Sequence, residues 1–122
     1  MALGEMQLLS LARLLLCSSP MDKKRIVILD EISSAVDYTT DTKMQQLLET
    51  HFSDRHSTVL TVAHRLSSII RYDTIVVLHG GKVVEKGSPT ELLGKQDSWF
   101  TQLAKSLGEG ELEALKKAVS VR

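Results

Sequence analysis

The chain has 122 residues, and its fifteen Lys and Arg balance fifteen Asp and Glu. That balance argues against a nucleic-acid partner or an acidic tail, and the length suits one small domain rather than an α/β enzyme with a full substrate cleft. A single cysteine, Cys17, excludes an internal disulfide and fits a reducing compartment, and the four His form no metal-like cluster with it.

No basic segment of a secretory leader opens the sequence, and the longest apolar run, residues 8–17, is broken by Ser10 and Arg13. That run is too short to span a bilayer. The expectation is a chain that is soluble alone and does not itself insert into a membrane. From Glu5, the spacing of Met6, Leu8, Leu9, Leu11, Ala12, Leu15 and Leu16 predicts a helix, stopped by Ser18-Ser19-Pro20. Cys17 sits in this apolar run and is expected in the core. Met21-Asp22-Lys23-Lys24 is a polar connector.

Arg25-Ile26-Val27-Ile28-Leu29 then runs without a Gly or Pro into Asp30-Glu31. An uninterrupted aliphatic run of this length predicts a strand buried on both faces, as in the middle of a parallel sheet. The small polar stretch 32–37 is a loop. A helix is expected from about Thr40, with Met44, Leu47, Leu48 and Phe52 on one face, followed by a turn over residues 53–56. Residues 57–63 form a second strand that ends in His64-Arg65, and Leu66, Ile69 and Ile70 suggest one short helix. Residues 74–78 are a third strand. Gly80-Gly81 marks a hairpin turn, because Gly tolerates positive φ at both central positions, and residues 83–86 return.

Ser88-Pro89-Thr90-Glu91 carries an N-cap, a first-turn Pro and the acid of a capping box, with Gly94 ending that helix. Asp97 is the expected cap of the next helix, whose apolar face is Trp99, Phe100, Leu103 and Leu107. Gly108 and Gly110 loosen the chain before a last, partly docked helix over 111–119, where Glu113 and Lys117 can pair. Strands alternating with helices predict an α/β fold with a parallel sheet and an antiparallel strand at one edge.

Ligands in open α/β sheets sit beyond the carboxyl ends of strands. Two such ends carry polar groups here, Asp30-Glu31 and His64. Neighbouring strands lie about 5 Å apart, so both ends can reach one ligand. A carboxylate pair with an imidazole suits metal-assisted hydrolysis of a phosphoanhydride: one acid for the cation, one for the attacking water, the imidazole for the transferred phosphate. The alternative for the acids is a solvated turn, and for His64 a helix-start residue satisfied by backbone.

Taken together, Asp30-Glu31, Ser34-Ala35-Val36-Asp37, Ala63-His64-Arg65-Leu66 and residues 75–87 resemble the nucleotide-binding domain of ABC transporters, in order and spacing. The opening Leu3-Gly4-Glu5-Met6-Gln7-Leu8-Leu9-Ser10 resembles that family's signature motif, with wording nearest the multidrug-resistance-associated (subfamily C) type. The resemblance implies ATP and Mg2+ as cofactors and a role for each matching residue. Asp30 would act on the metal, Glu31 would be the general base, and His64 the switch histidine. Asp37 would lie at the interface of a head-to-tail dimer. Ala2, Leu3, Gly4 and Glu5 would meet the γ-phosphate held by the partner domain, a role that suits the N–H groups and dipole of a helix start.

The departures are specific. No Gly-x-x-x-x-Gly-Lys-[Ser/Thr] occurs: Gly81-Lys82 is followed by Val83, and Gly94-Lys95 by Gln96. Ala2 stands where the family has Ser, and Glu5 where it has Gln. The resemblance therefore implies a partial P-loop NTPase-type sheet with flanking helices, its Walker A half missing. Residues 1–108 would be the C-terminal portion of the ATPase domain and 109–122 a helical tail. With neighbouring strands lacking, the strand at 26–29 is expected to expose a sheet edge or face, an aggregation hazard. The function implied is part of the ATP-hydrolysing motor of an export protein, on the cytoplasmic face of a membrane, working with a second nucleotide-binding domain and transmembrane domains. A non-catalytic truncated chain that pairs with an intact domain is the alternative. A chromosome-maintenance or repair ATPase shares some motifs, but the Gly80-Gly81 hairpin and residues 87–92 point to a transporter.

Overall fold

The computed structural model describes residues 2–17, 24–53 and 56–121. The expected helix stop at 18–20, residues 21–23 of the connector and residues 54–55 of the expected turn lie outside them. The chain divides into two compact units, Met1–Ser68 and Ile69–Arg122.

The first unit is a βαβ arrangement preceded by a helix. Helix α1 (Leu3–Cys17) leads to strand β1 (Arg25–Asp30), then α2 (Tyr38–His51) and β2 (Ser57–Val62). The strands are parallel and in register from Arg25 opposite Ser57 to Asp30 opposite Val62. Parallel neighbours need a crossover of a dozen or more residues, and α2 supplies it. The core joins Leu11 of α1, Val27 and Leu29 of β1, and Met44, Leu48 and Phe52 of α2, with Leu14, Leu15, Ile32, Val36 and Val59 packed against it. Each fully buried side chain of this kind contributes about 1.5–3 kcal/mol.

β1 is not buried on both faces. Val27 and Leu29 are 7% and 3% exposed, whereas Ile26 and Ile28 are 77% and 70% exposed. Both helices of the unit contribute to the cluster that takes up Val27 and Leu29, so the opposite face stays bare. Leu60 and Val62 of β2 are exposed as well, in keeping with the expected open sheet face. The apolar stripe predicted for α1 is buried only at Leu11; Met6, Leu8, Leu9 and Leu16 are exposed, and Cys17 is exposed rather than core. In α2, Leu47 is exposed while Asp41 and Gln45 share the buried stripe.

Helix α3 (Leu66–Ile69) is a single turn at which the two units divide. The second unit opens with the hairpin β3 (Ile75–His79) and β4 (Lys82–Gly87). Gly80 and Gly81 have φ of 56° and 76°, the positive values that a tight hairpin turn demands. The expected single sheet is thus two two-stranded sheets, β1 with β2 and β3 with β4. The connector from β2 to β3 holds only α3, far short of the crossover helix that joins β1 to β2.

Helix α4 (Pro89–Leu93) starts with the predicted capping box: Glu91 N–H donates to Ser88 Oγ, and Ser88 N–H donates to the Glu91 carboxylate. Helix α5 (Trp99–Ser106) is capped by Ser98, not Asp97. The Glu85 carboxylate adds acceptors for the N–H groups of Trp99 (3.1 Å) and Phe100 (2.9 Å), so Ser98 and Glu85 together fill donors that every helix start leaves open. Its buried face is Phe100, Thr101 and Ala104, while Trp99, Leu103 and Leu107 are largely exposed. Helix α6 (Glu109–Ser120) is anchored by buried Leu112 and Leu115. Glu113 meets Lys116, 3.9 Å away, three residues on, instead of Lys117.

Candidate functional site

Parallel pairing brings the carboxyl ends of β1 and β2 side by side. Just beyond them, Glu31 Oε1 lies 2.8 Å from His64 Nε2, with both side chains open to solvent on one side. Glu31 is the one non-glycine among the described residues with positive φ, 49°. This left-handed conformation costs an L-residue about 1 kcal/mol. It ends the strand alternation and turns the carboxylate toward His64. The Glu31 N–H donates to Val62 O at 2.7 Å, which fixes this bend to β2. Ser33, Ser34, Ala63 and Arg65 line a small cleft around the pair.

Asp30 is exposed and, by the period of a strand, projects from the same bare face as Ile26 and Ile28. Among the described residues no three His, Cys, Asp or Glu gather as a metal cage. A lone exposed carboxylate at a strand end still fits Mg2+, which keeps several waters and takes one or two carboxylates plus substrate phosphates.

Ala2, Leu3, Gly4 and Glu5 form the start of α1. The Glu5 carboxylate folds back to accept from Ala2 N–H at 3.0 Å. This is the acid half of a capping box whose hydroxyl half Ala2 cannot supply. The helix start therefore already faces a carboxylate of its own chain. Gly4 has an internal reason to be glycine: a Cβ there would sit 2.8 Å from the Ala35 carbonyl oxygen. Asp37 caps α2, accepting from the backbone N–H and hydroxyl of Thr40. Those hydrogen bonds hold its carboxyl below the ordinary value.

Three residues to which the motifs gave no role complete the arrangement. Gln7 donates to Glu31 O (3.1 Å) and Ser34 Oγ (2.9 Å) and accepts from Ala35 N–H (2.9 Å). Arg65 donates through Nη2 to Val36 O at 2.6 Å, and its Nη1 lies 3.3 Å from Asp41 Oδ2. Asp41, 2% exposed, also accepts from Ser68 Oγ at 2.9 Å and Gln45 Nε2 at 3.4 Å. Burial pushes the Asp41 carboxyl upward, but hydrogen bonds from Ser33, Ser68, Gln45 and Arg65 outweigh it and hold the group below its ordinary value. The sequence did carry a signal for Asp41: it stands at helical spacing with Met44, Gln45 and Leu48, and an acid in an apolar stripe needs a partner.

No protein-family model matches the chain. Against curated proteins it is 44% identical over 103 residues to ATP-binding cassette transporter abc1 of Schizosaccharomyces pombe, covering 84% of this chain and 7% of that protein. It is 44% identical over 108 residues to Metal resistance protein YCF1 of Saccharomyces cerevisiae, covering 88% and 7%. ABC transporter C family member 9 of Arabidopsis thaliana is 39% identical over 104 residues, 85% of this chain and 6% of that one. Among solved structures, a bacterial Atm1-family ABC exporter with ATP bound superposes with a TM-score of 0.74 at 31% identity, over 88% of this chain and 18% of that one. The chain thus spans about 7% of the length of curated relatives it matches.

Proposed function

This chain belongs to the ABC transporter family, and from that premise we propose that it is the C-terminal half of a nucleotide-binding domain whose longer protein couples ATP hydrolysis to export across a membrane. The observation that carries the reading is the Glu31–His64 pair, 2.8 Å apart at adjacent parallel strand ends. The bare apolar face of β1 and β2 supports it too, as a surface for further strands or helices of the same domain. A second nucleotide-binding domain and transmembrane domains are the partners this reading requires, with the domain on the cytoplasmic side. No helix among the described residues is long and apolar enough to cross a membrane.

In this mechanism Glu31 accepts the proton of the water that attacks the γ-phosphorus, while the bond to the ADP oxygen breaks. His64 Nε2 holds the Glu31 carboxylate at rest and would turn that one N–H to the phosphate oxygens where charge builds, leaving Glu31 free for the water. Asp30 would hold Mg2+, which supplies charge neutralisation at the phosphates. Asp37 and residues 2–5 would face the partner domain, with the γ-phosphate at the start of α1.

The test replaces the matched 108 residues of yeast YCF1 with this chain. The graft is expected to hydrolyse ATP, and Glu31→Gln to lower turnover about 100-fold or more. A graft whose turnover survives Glu31→Gln unchanged would refute the assignment. The isolated chain is expected to bind Mg-ATP weakly and show no turnover. Tight binding with turnover that Glu31→Gln abolishes would show that the 122 residues suffice alone.

A further inference from the structure

Glu31 holds a left-handed backbone, and its backbone hydrogen bonds reach two other elements. Its N–H donates to Val62 O of β2, and its carbonyl accepts from Gln7 of α1 at 3.1 Å as well as, at 3.3 Å, from Ser34 N–H in its own loop. Gln7 spends both amide hydrogens and its oxygen on one short loop, at Glu31, Ser34 and Ala35. The amide has only one orientation here, because a carbonyl needs a donor and the Ala35 N–H needs an acceptor. Three residues earlier on the same helix face, Gly4 abuts the Ala35 carbonyl so closely that a methyl group does not fit. The first turns of α1 and the loop carrying Glu31 are therefore joined at two points of one helix face.

We propose that Gln7 is a positioning residue: its side chain transmits the place of the α1 start to the Glu31 backbone and so sets the aim of the Glu31 carboxylate at His64. Its catalytic meaning rests on the function proposed above; the linkage itself does not. A ligand bound at residues 2–5 would, through this amide, be felt at Glu31. The donors and the acceptor of Gln7 do separate jobs. The acceptor secures Ala35, whereas a donor secures Glu31.

Two substitutions separate these jobs. Gln7→Glu keeps the size and the acceptor but loses the donors, and Gln7→Leu loses both. In the full chain, amide exchange at Glu31 is expected to rise about tenfold in both variants, with Ala35 exposed only in Gln7→Leu. Buried amides of α2 serve as the reference for global stability. Where Gln7→Leu fails to fold, the near-isosteric Gln7→Glu is read alone. Unchanged Glu31 exchange in Gln7→Glu overturns the linkage. In the YCF1 graft, Gln7→Glu is expected to lower kcat about 100-fold while KM for ATP stays within about threefold. Normal kcat in the face of loosened Glu31 overturns the positioning role. A graft inactive before any substitution defeats the proposed function instead, and the exchange measurement then decides the linkage.

Discussion

β1 and β3 are almost the same string, Ile26-Val27-Ile28-Leu29 and Ile75-Val76-Val77-Leu78. Both bury alternate side chains: Val27 and Leu29 in one, Ile75 and Val77 in the other. One ends in a candidate catalytic pair and the other in a bare turn. The connection leaving each strand makes the difference. After β3 come two glycines and an antiparallel return, so His79 is matched with Lys82 across the turn. After β1 comes a loop and a full helix, so the partner runs parallel and Asp30 is matched with Val62. Only parallel pairing places two carboxyl ends on one edge, where Glu31 and His64 meet. Strand chemistry sets burial, and connection chemistry sets whether the ends converge.

The largest test of this contrast is within β1 itself. Leu29→Ala should cost about 3 kcal/mol in denaturant unfolding, as a truncation in a packed core does. Ile28→Ala, one residue away on the bare face, should stay within about 0.5 kcal/mol. Equal losses would mean that both faces are covered and that β1 is the doubly buried strand its sequence suggests.

Asp41→Ala comes next, at about 2 kcal/mol, because it strands Arg65 and frees both connections of the β1–β2 unit. The Arg65 side chain is 33% exposed and can turn to water, which keeps the loss below that of a sealed pair. The effect depends on pH. The folded pKa of Asp41 lies below its ordinary 3.8, so its contribution is complete above that value and is lost as pH falls through the folded pKa. The gap between parent and variant should close in acid and stay constant at neutral pH.

The smallest effect belongs to the hairpin. Gly81→Ala should cost about 1 kcal/mol through its φ of 76° alone, since no atom crowds a Cβ there. Thermal unfolding would read it, and a neutral result would show that β3 and β4 pair without help from their turn.

Local signals were the legible ones. The capping box at Ser88 and Glu91, the Gly80-Gly81 turn and the long crossover helix follow from short-range chemistry, and all are present. Helix faces were harder. Trp99 and Leu103 read as core but are exposed, while Thr101 and Ala104 take the inner positions beside Phe100; the Thr101 hydroxyl is satisfied there by donating to Leu92 O, so a polar residue sits where the apolar pattern pointed elsewhere. Burial on both faces of β1 could not be read from four aliphatic residues, because one-sided and two-sided strands share that composition when part of a core lies elsewhere. At the site, motif spacing located Glu31 and His64. Gln7 and Arg65 work largely through backbone carbonyls and an N–H, which leave no pattern in the sequence, whereas Asp41 was legible as an acid within an apolar helical stripe.

The backbone of Glu31 has an evolutionary consequence. At φ 49°, glycine is the residue that this bend prefers. A screen that rewards thermal tolerance alone would thus drift toward Glu31→Gly and erase the carboxylate. Persistence of an acid at this position among functional variants would record selection for chemistry over robustness, readable in a mutational library without any assay of structure.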